Sequence, residues 1–346
     1  MDVGIVGGGL VGIALAVALR ERGVRASVFE RSKLGAEASS GAGGILGAQT
    51  ESHGPDDPTA LPLSILLEAR SVAIEWAEEL EASGAGPTGL SREGVLELAL
   101  DPSDLERLET RALWQRECGA RAELLTPSEL AAFAPAASPR ALGALFFAAD
   151  AHVDPPRYVE AAGARARTLE VRVHEHTPVT DVGTDGAGAY VQTTRERLCF
   201  DRVVVTAGSW SADLLPAGAP VVKPIRGQML ELRASSRAFG PVLVGGGVYS
   251  IPRADGRITL GSTMEDVGHA RGNDAAAVHR LLEGGLRSAP SLGRAAFVRA
   301  WSQFRPFAPA GLFADETSSK NVFALTGHHR NGILLARWSA LALARR

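Results

Sequence analysis

Residues 1–31, MDVGIVGGGLVGIALAVALRERGVRASVFER, constrain the fold more than any other stretch of this chain. Val3 to Val6 is a short β-branched run, and Gly7, Gly9 and Gly12 follow it in G-x-G-x-x-G spacing. Leu10 to Leu19 is rich in helix formers, and Ala26 to Phe29 reads as a second strand ending at Glu30. Each part has a mechanical role in holding a dinucleotide. Gly7 permits a tight turn, Gly9 admits a pyrophosphate close to the backbone, and Gly12 lets the helix pack on the strands. The positive end of the helix then faces the phosphates, and Glu30 stands where a carboxylate accepts hydrogen bonds from ribose hydroxyls.

The run Val3–Leu19 carries no charge, but it starts after Met1-Asp2 rather than a basic segment, so it does not read as a secretory signal. It is also shorter than the ~20 apolar residues a spanning helix needs and is broken by glycines. A soluble, cytoplasmic protein is expected. A net charge of -3 gives no reason to expect nucleic acid or an anionic membrane as partner. Cys118 and Cys199 lack metal-type or redox spacing and read as reduced, mostly buried thiols. No His/Cys/Asp cluster suggests a metal, and His174 and His176 read as a surface pair alternating on a strand edge.

At 346 residues the chain has room for two cores. The small, glycine-rich segment SKLGAEASSGAGGILGAQTES (32–52) cannot form a packed core element by itself. It is either disordered or lies against something large and flat. Helical spacing covers Thr59–Ser83, Pro102–Glu117, Pro155–Arg167 and about Asp274–Arg287, with Thr126-Pro127-Ser128-Glu129 as a capping box. Short strands are expected at Gly94–Leu100, Glu170–Val173, Val179–Val182, Asp201–Ala207 and Asn321–Leu325. Ala189–Thr194 and Arg197–Phe200 read as a hairpin. Strands dominate from Lys223 to Pro306, and an apolar helix closes the chain. Nucleotide-binding βα pieces therefore lie at the start, middle and end, with strand-rich insertions between them. The fold class is α/β: a discontinuous Rossmann-like dinucleotide-binding domain (1–85, 148–220 and 306–346) plus a mainly antiparallel substrate-binding domain with helices (86–147 and 221–305).

Over essentially its whole length the chain resembles the D-amino acid oxidase-type FAD-dependent oxidoreductases, most closely the glycine oxidases of thiamine biosynthesis. The match lies in VGIVGGGLVG with VFE, SSGAGGILGAQTE, DAHVDP with HEHTPV, VVVTAGSWS, and then VYSIPR, GSTM, FRP and GHHRNGILLA in that order. The resemblance implies non-covalent FAD, since no cysteine follows Cys199 to attach it. It assigns Leu10, Val11, Glu30 and Arg31 to the adenosine end, Ala38, Ser39, Gly43, Gly44 and Ile45 to the pyrophosphate and flavin, and Val179 to adenine. Gly208 and Trp210 fall on the cofactor side. His328, His329, Arg330, Asn331, Gly332, Ile333 and Leu334 would wrap the flavin's pyrimidine edge at a helix N-terminus, where the helix dipole favours negative charge.

For the substrate, the resemblance implies that Arg305 clamps a carboxylate, whose geometry a guanidinium matches bidentately. Tyr249 would add a hydroxyl donor, Arg330 would approach from the other side and Met264 would line the cavity. The implied activity is oxidative deamination of glycine or a related small amino acid or amine. Hydride passes from the α-carbon to flavin N5, and O2 reoxidises the flavin with release of H2O2. The alternatives are a same-fold dehydrogenase passing electrons to a quinone or partner, and a catalytically silent flavoprotein subunit. A homo-oligomer is expected. The chain departs from the family pattern at Gln303, where glycine is usual, and at Gly247, where a histidine is usual. PAG replaces PDG, and only Arg337–Arg346 follow GILLA, so the final helix is expected to be short or the chain truncated.

Overall fold

The computed structural model describes residues 1–54, 61–186, 188–219, 221–235 and 238–346. The glycine-rich opening forms strand Asp2–Val6, helix Leu10–Glu21 and strand Arg25–Phe29. They belong to a six-stranded sheet in the order Phe313–Glu316, Val322–Thr326, Arg202–Val205, Asp2–Val6, Arg25–Phe29, Arg172–His174. All neighbours are parallel except the first pair. Parallel strands covered on both faces need continuous apolar runs, and Val203–Val205 and Val322–Leu325 supply them, all buried or nearly so. The glycine-turn helix packs with helices Leu63–Ala82 and Gly332–Ala344 over this sheet, joining Ile13, Val17, Trp76, Leu335 and Ala340 in one core.

An eight-stranded sheet forms the second layer, in the order Ala296–Phe307, Lys223–Arg233, Arg257–Gly261, Val248–Pro252, Val242–Gly245, Val95–Ala99, Gly143–Phe147, Glu123–Leu125. It is antiparallel except between Val242–Gly245 and Val95–Ala99. The mainly antiparallel second sheet is therefore present as expected. Two of its inner strands, Gly143–Phe147 and Val242–Gly245, are absent from the sequence reading. Both are short apolar runs without alternation, which periodicity cannot separate from buried helix or loop.

Helix Pro102–Glu117 has the expected bounds, with the Asp101 side chain accepting from Asp104 N–H at 3.0 Å. The capping box is present: Thr126 N–H donates to Glu129 Oε2 at 2.8 Å while Glu129 N–H donates back to Thr126 Oγ1. Helix Leu63–Ala82 covers most of the expected span, of which Thr59 and Ala60 lie outside the described residues.

Two expectations are corrected. Cys118 and Cys199 are exposed, not buried. Cys118 caps a helix C-terminus, and Cys199 lies on the outward face of strand Arg197–Phe200, whose Phe200 points inward. His174 and His176 do not alternate along a strand, because the strand ends at His174, which stacks on Phe29 with ring centroids 4.7 Å apart. His176 sits beyond it at φ 55. Among the described residues no helix is long and apolar enough to cross a membrane, and no group of His, Cys, Asp or Glu is placed to hold a metal.

Candidate active site

One cleft runs from Glu30, Arg31 and Val179 past the glycine turn to Tyr249, Arg305 and Arg330. Its nucleotide end is largely backbone. Gly7 has φ 115, a conformation glycine alone adopts without strain, and a Cβ there would stand 2.5 Å from the Thr206 carbonyl. A Cβ on Gly12 would strike the Gly7 carbonyl and Thr206 Oγ1, so the helix can approach the strands only without one. Helix Leu10–Glu21 starts at Gly9 with no side-chain cap. Leu10 N–H donates to Ser39 Oγ at 2.9 Å, which ties the helix to the next loop. Glu30 is buried, and its two oxygens accept Gly8 N–H and Ser32 N–H at 2.8 Å each. Each carboxylate oxygen keeps lone-pair capacity for a further donor.

Arg31 lies over Trp210, its guanidinium carbon 3.8 Å from the ring centroid, and also bonds Glu37. His269 stacks on the same indole at 4.9 Å. Trp210 follows Gly208, at φ 56, in the short 3-10 helix Gly208–Asp213 that ends the central strand's loop.

The glycine-rich segment is ordered. It forms the short helix Ala38–Gly41 and strand Ile45–Leu46, paired with Ala151–His152. Buried charge holds it. Asp150, fully buried, accepts Thr50 N–H at 2.8 Å and Thr50 Oγ1 at 2.7 Å, and pairs with Arg70. Arg111 donates to the Thr50 and Ser52 carbonyls and pairs with Glu97. Arg253 donates to the Gly43 and Val153 carbonyls, both at 2.6 Å. These side chains come from distant segments, so the loop's order is a tertiary property.

At the other end, Arg305 donates to Thr263 O at 3.0 Å and Ser262 Oγ at 2.6 Å. It has no ion pair among the described residues, and burial depresses its pKa. Its guanidinium lies over Gly227, where a Cβ would fall 2.5 Å from both terminal nitrogens. Tyr249 stands opposite Gly261 and covers it, with its hydroxyl also against Gly43. Arg330 is paired: Nε lies 2.7 Å from Glu51 Oε2, and this carboxylate raises its pKa. His329, at φ 46, faces the cleft with Nε2 buried and unpartnered. Burial, with Arg305 and Arg330 near, lowers its pKa to about 4.

The cleft thus gathers Gly7, Gly9, Val11, Glu30, Arg31, Ala38, Ser39, Gly43, Gly44, Ile45, Val179, Gly208, Trp210, Tyr249, Arg305, His328, His329, Arg330, Gly332 and Ile333. Leu10 and Leu334 are instead core residues behind it, Gly12 is a packing position, and Asn331 flanks the final helix. Met264 does not line it. The side chain is 54% exposed and belongs with Gly247 to a separate outer cleft, because Ser262 and Thr263 turn the chain outward past Arg305. Glu51, Ser262 and Met229 are wall residues that the sequence reading missed. Glu51 ends the SSGAGGILGAQTE block and Ser262 lies within GSTM, so their positions were marked though their roles were not.

A parallel nucleotide-binding sheet and an antiparallel sheet sharing one long cleft define a flavin-type oxidoreductase. The residues fit FAD: glycines clear the pyrophosphate path, Glu30 has capacity for a ribose, and His329 turns a buried ring nitrogen without a hydrogen-bond partner to the cleft. No cysteine lines the cleft among the described residues. The profile described as FAD dependent oxidoreductase matches residues 2–346, and the chain belongs to this DAO family. It is an enzyme family whose cofactor is FAD. The chain is 31% identical to the glycine oxidase of Geobacillus kaustophilus over 353 residues, which is 99% of this chain and 92% of that protein. The crystal structure of glycine oxidase from the same organism superposes with a TM-score of 0.92 at 29% identity, covering 100% of this chain and 94% of that one. The chain is also 30% identical, over 99% of its length, to the bifunctional protein ThiO/ThiG of Trichormus variabilis, of which it spans 52%.

Proposed function

We propose that this enzyme oxidises glycine or a closely related small amino acid or amine at the α-carbon, with O2 as the final acceptor. The observation that carries the reading is Arg305, a buried guanidinium on the cleft wall that meets only neutral acceptors among the described residues. An uncompensated buried charge is unfavourable, and a substrate carboxylate supplies the missing anion in bidentate geometry. Arg330 suits this role less, because Glu51 already neutralises it.

Tyr249 adds a hydroxyl donor beside the same carboxylate, so the substrate is held at one end and its α-C–H is oriented by geometry alone. Positioning of this kind contributes up to roughly 7–11 kcal/mol to a barrier. FAD, when bound, supplies the hydride acceptor and the route to O2 and H2O2. No side chain is assigned as a base, and the free amine is the reactive form, so activity rises with pH as the substrate loses its proton. The imine product hydrolyses in water to a 2-oxo acid and ammonia. The glycine oxidase and ThiO/ThiG relatives support a small amino acid as substrate and a place in thiamine biosynthesis.

Anaerobic mixing of the yellow holoenzyme with glycine, sarcosine and small D-amino acids tests the assignment, the oxidised flavin band being followed. Bleaching by at least one of them, with stoichiometric peroxide on readmitting air, is expected. Dye reduction without peroxide would instead identify a dehydrogenase, and a band that no compound bleaches would identify a silent flavoprotein.

A further inference from the structure

Strand Ala296–Phe307 presents Trp301, Gln303 and Arg305 on one face, since residues two apart in a strand share a side. The Trp301 indole N–H donates to the Gly41 carbonyl at 3.0 Å. Arg305 lies over Gly227, and Gly227 is also the cross-strand partner of Gln303. The missing side chain that makes room for the carboxylate anchor therefore also places Gln303 beside it. The Gln303 methylenes close over Gly41, where a Cβ would collide with them. Gln303 lines the cleft, and its amide oxygen is buried with no hydrogen-bond partner among the described residues.

A buried carbonyl without a donor is a costly arrangement that native structures seldom keep without a reason. Gly41, against which Gln303 packs, and Gly227, its cross-strand partner, carry no side chain that could donate, and no Arg305 N–H bonds the amide: those that are engaged go to Ser262 and Thr263. An N–H carried by a bound ligand would supply the donor that the described residues do not. We infer that Gln303 is a specificity-determining residue whose amide oxygen accepts an N–H of the substrate amine while Arg305 holds the carboxylate. The inference rests on the oxidase reading and deepens it, because it defines the substrate class as small carboxylates bearing an N–H on the α-carbon's nitrogen. Glycine as the free amine has an N–H to spare, sarcosine has one, and N,N-dimethylglycine has none.

The test compares FAD-loaded wild type with Gln303→Leu, which keeps the volume and removes the oxygen, and with Gln303→Met should the leucine variant fail to hold flavin. Two quantities are read: the glycine concentration that half-saturates anaerobic bleaching, and the Kd of acetate from perturbation of the flavin band. Acetate has the carboxylate and no N–H. Loss of one neutral hydrogen bond is expected to raise the glycine value about tenfold, with acetate binding unchanged. The wild type's preference for sarcosine over N,N-dimethylglycine is expected to shrink in the variant by a similar factor. Equal weakening of glycine and acetate would move Gln303 to the carboxylate, and an unchanged glycine value would leave it a plain wall. Either result overturns the inference. A wild type that no amine bleaches would overturn the oxidase reading instead, and that is seen before any variant is made.

Discussion

At the nucleotide end of the cleft the wall is backbone: Gly7 at φ 115, Gly12 under the Gly7 carbonyl, and a helix N-terminus without a side-chain cap. At the substrate end the wall is side chains, with Arg305, Tyr249, Gln303, Arg330 and Glu51 drawn from segments as much as 279 residues apart. The first end works by what is missing, since a phosphate can approach only where no Cβ intrudes. The second works by what is present, a charge left without a counter-ion beside one already paired. A substitution should therefore damage the two ends differently, adding atoms at one and removing them at the other.

Arg305→Met should separate them most sharply. Loss of the proposed carboxylate anchor is expected, on the oxidase reading, to lower kcat/KM for glycine by about 10²–10³-fold, read by steady-state peroxide release. The flavin should stay bound and the urea midpoint should not fall, because the substitution removes a buried charge that had no counter-ion among the described residues. Flavin loss on purification would break the separation between the two ends. Gly12→Ala is the converse. The new methyl meets the Gly7 carbonyl oxygen, which is backbone, and the Thr206 hydroxyl. The expected result is about 3 kcal/mol of destabilisation, the upper end for overpacking, together with weaker FAD retention, measured by urea unfolding and flavin release.

The pH dependence bears on the joint between the ends, the segment His328–Gly332. His328 is fully buried, donates or accepts through Nε2 with Ser339 Oγ at 2.9 Å, and has its pKa lowered by burial from 6.5 to about 4. The unfolded chain then binds the extra proton between these values, so stability is complete above pH 6.5, falls as pH drops and levels off near 4. Between pH 7 and 5 the loss from this residue is about 2 kcal/mol. Urea midpoints of His328→Gln should fall less steeply over that interval than those of wild type. Parallel curves would show that His328 is not the titrating group.

The same contrast explains what could be read before any coordinates. The turn Gly7–Gly12, its helix and Glu30 are local in sequence, and each has a spacing rule behind it, so that end was legible from residues alone. Pro102–Glu117 and the Thr126 box were legible for the same reason. Arg305 and Tyr249 had no such rule. They were found through a family resemblance, which also misplaced Met264, because exposure beyond a chain reversal carries no sequence signal. Glu51 went unseen since its partner, Arg330, lies at the far end of the chain. The ordering of residues 38–52 by Asp150 and Arg111 is likewise a product of the fold. The inner strands Gly143–Phe147 and Val242–Gly245 lacked alternation because neighbours bury both of their faces.

The smallest effect belongs to a site that neither end uses. Thr126 starts helix Pro127–Phe133 through a reciprocal pair with Glu129, and the exchange is exposed. Thr126→Ala removes the side-chain acceptor for Glu129 N–H and should cost about 1 kcal/mol. The helix borders strand Gly143–Phe147, three strands removed from Val248–Pro252, which carries Tyr249. Glycine kcat/KM and flavin affinity should therefore match wild type while the urea midpoint drops slightly. A change in either functional quantity would mean that the eight-stranded sheet transmits strain from its outer edge to the chamber. The division between a backbone-built end and a side-chain-built end would then have to include the packing that joins them.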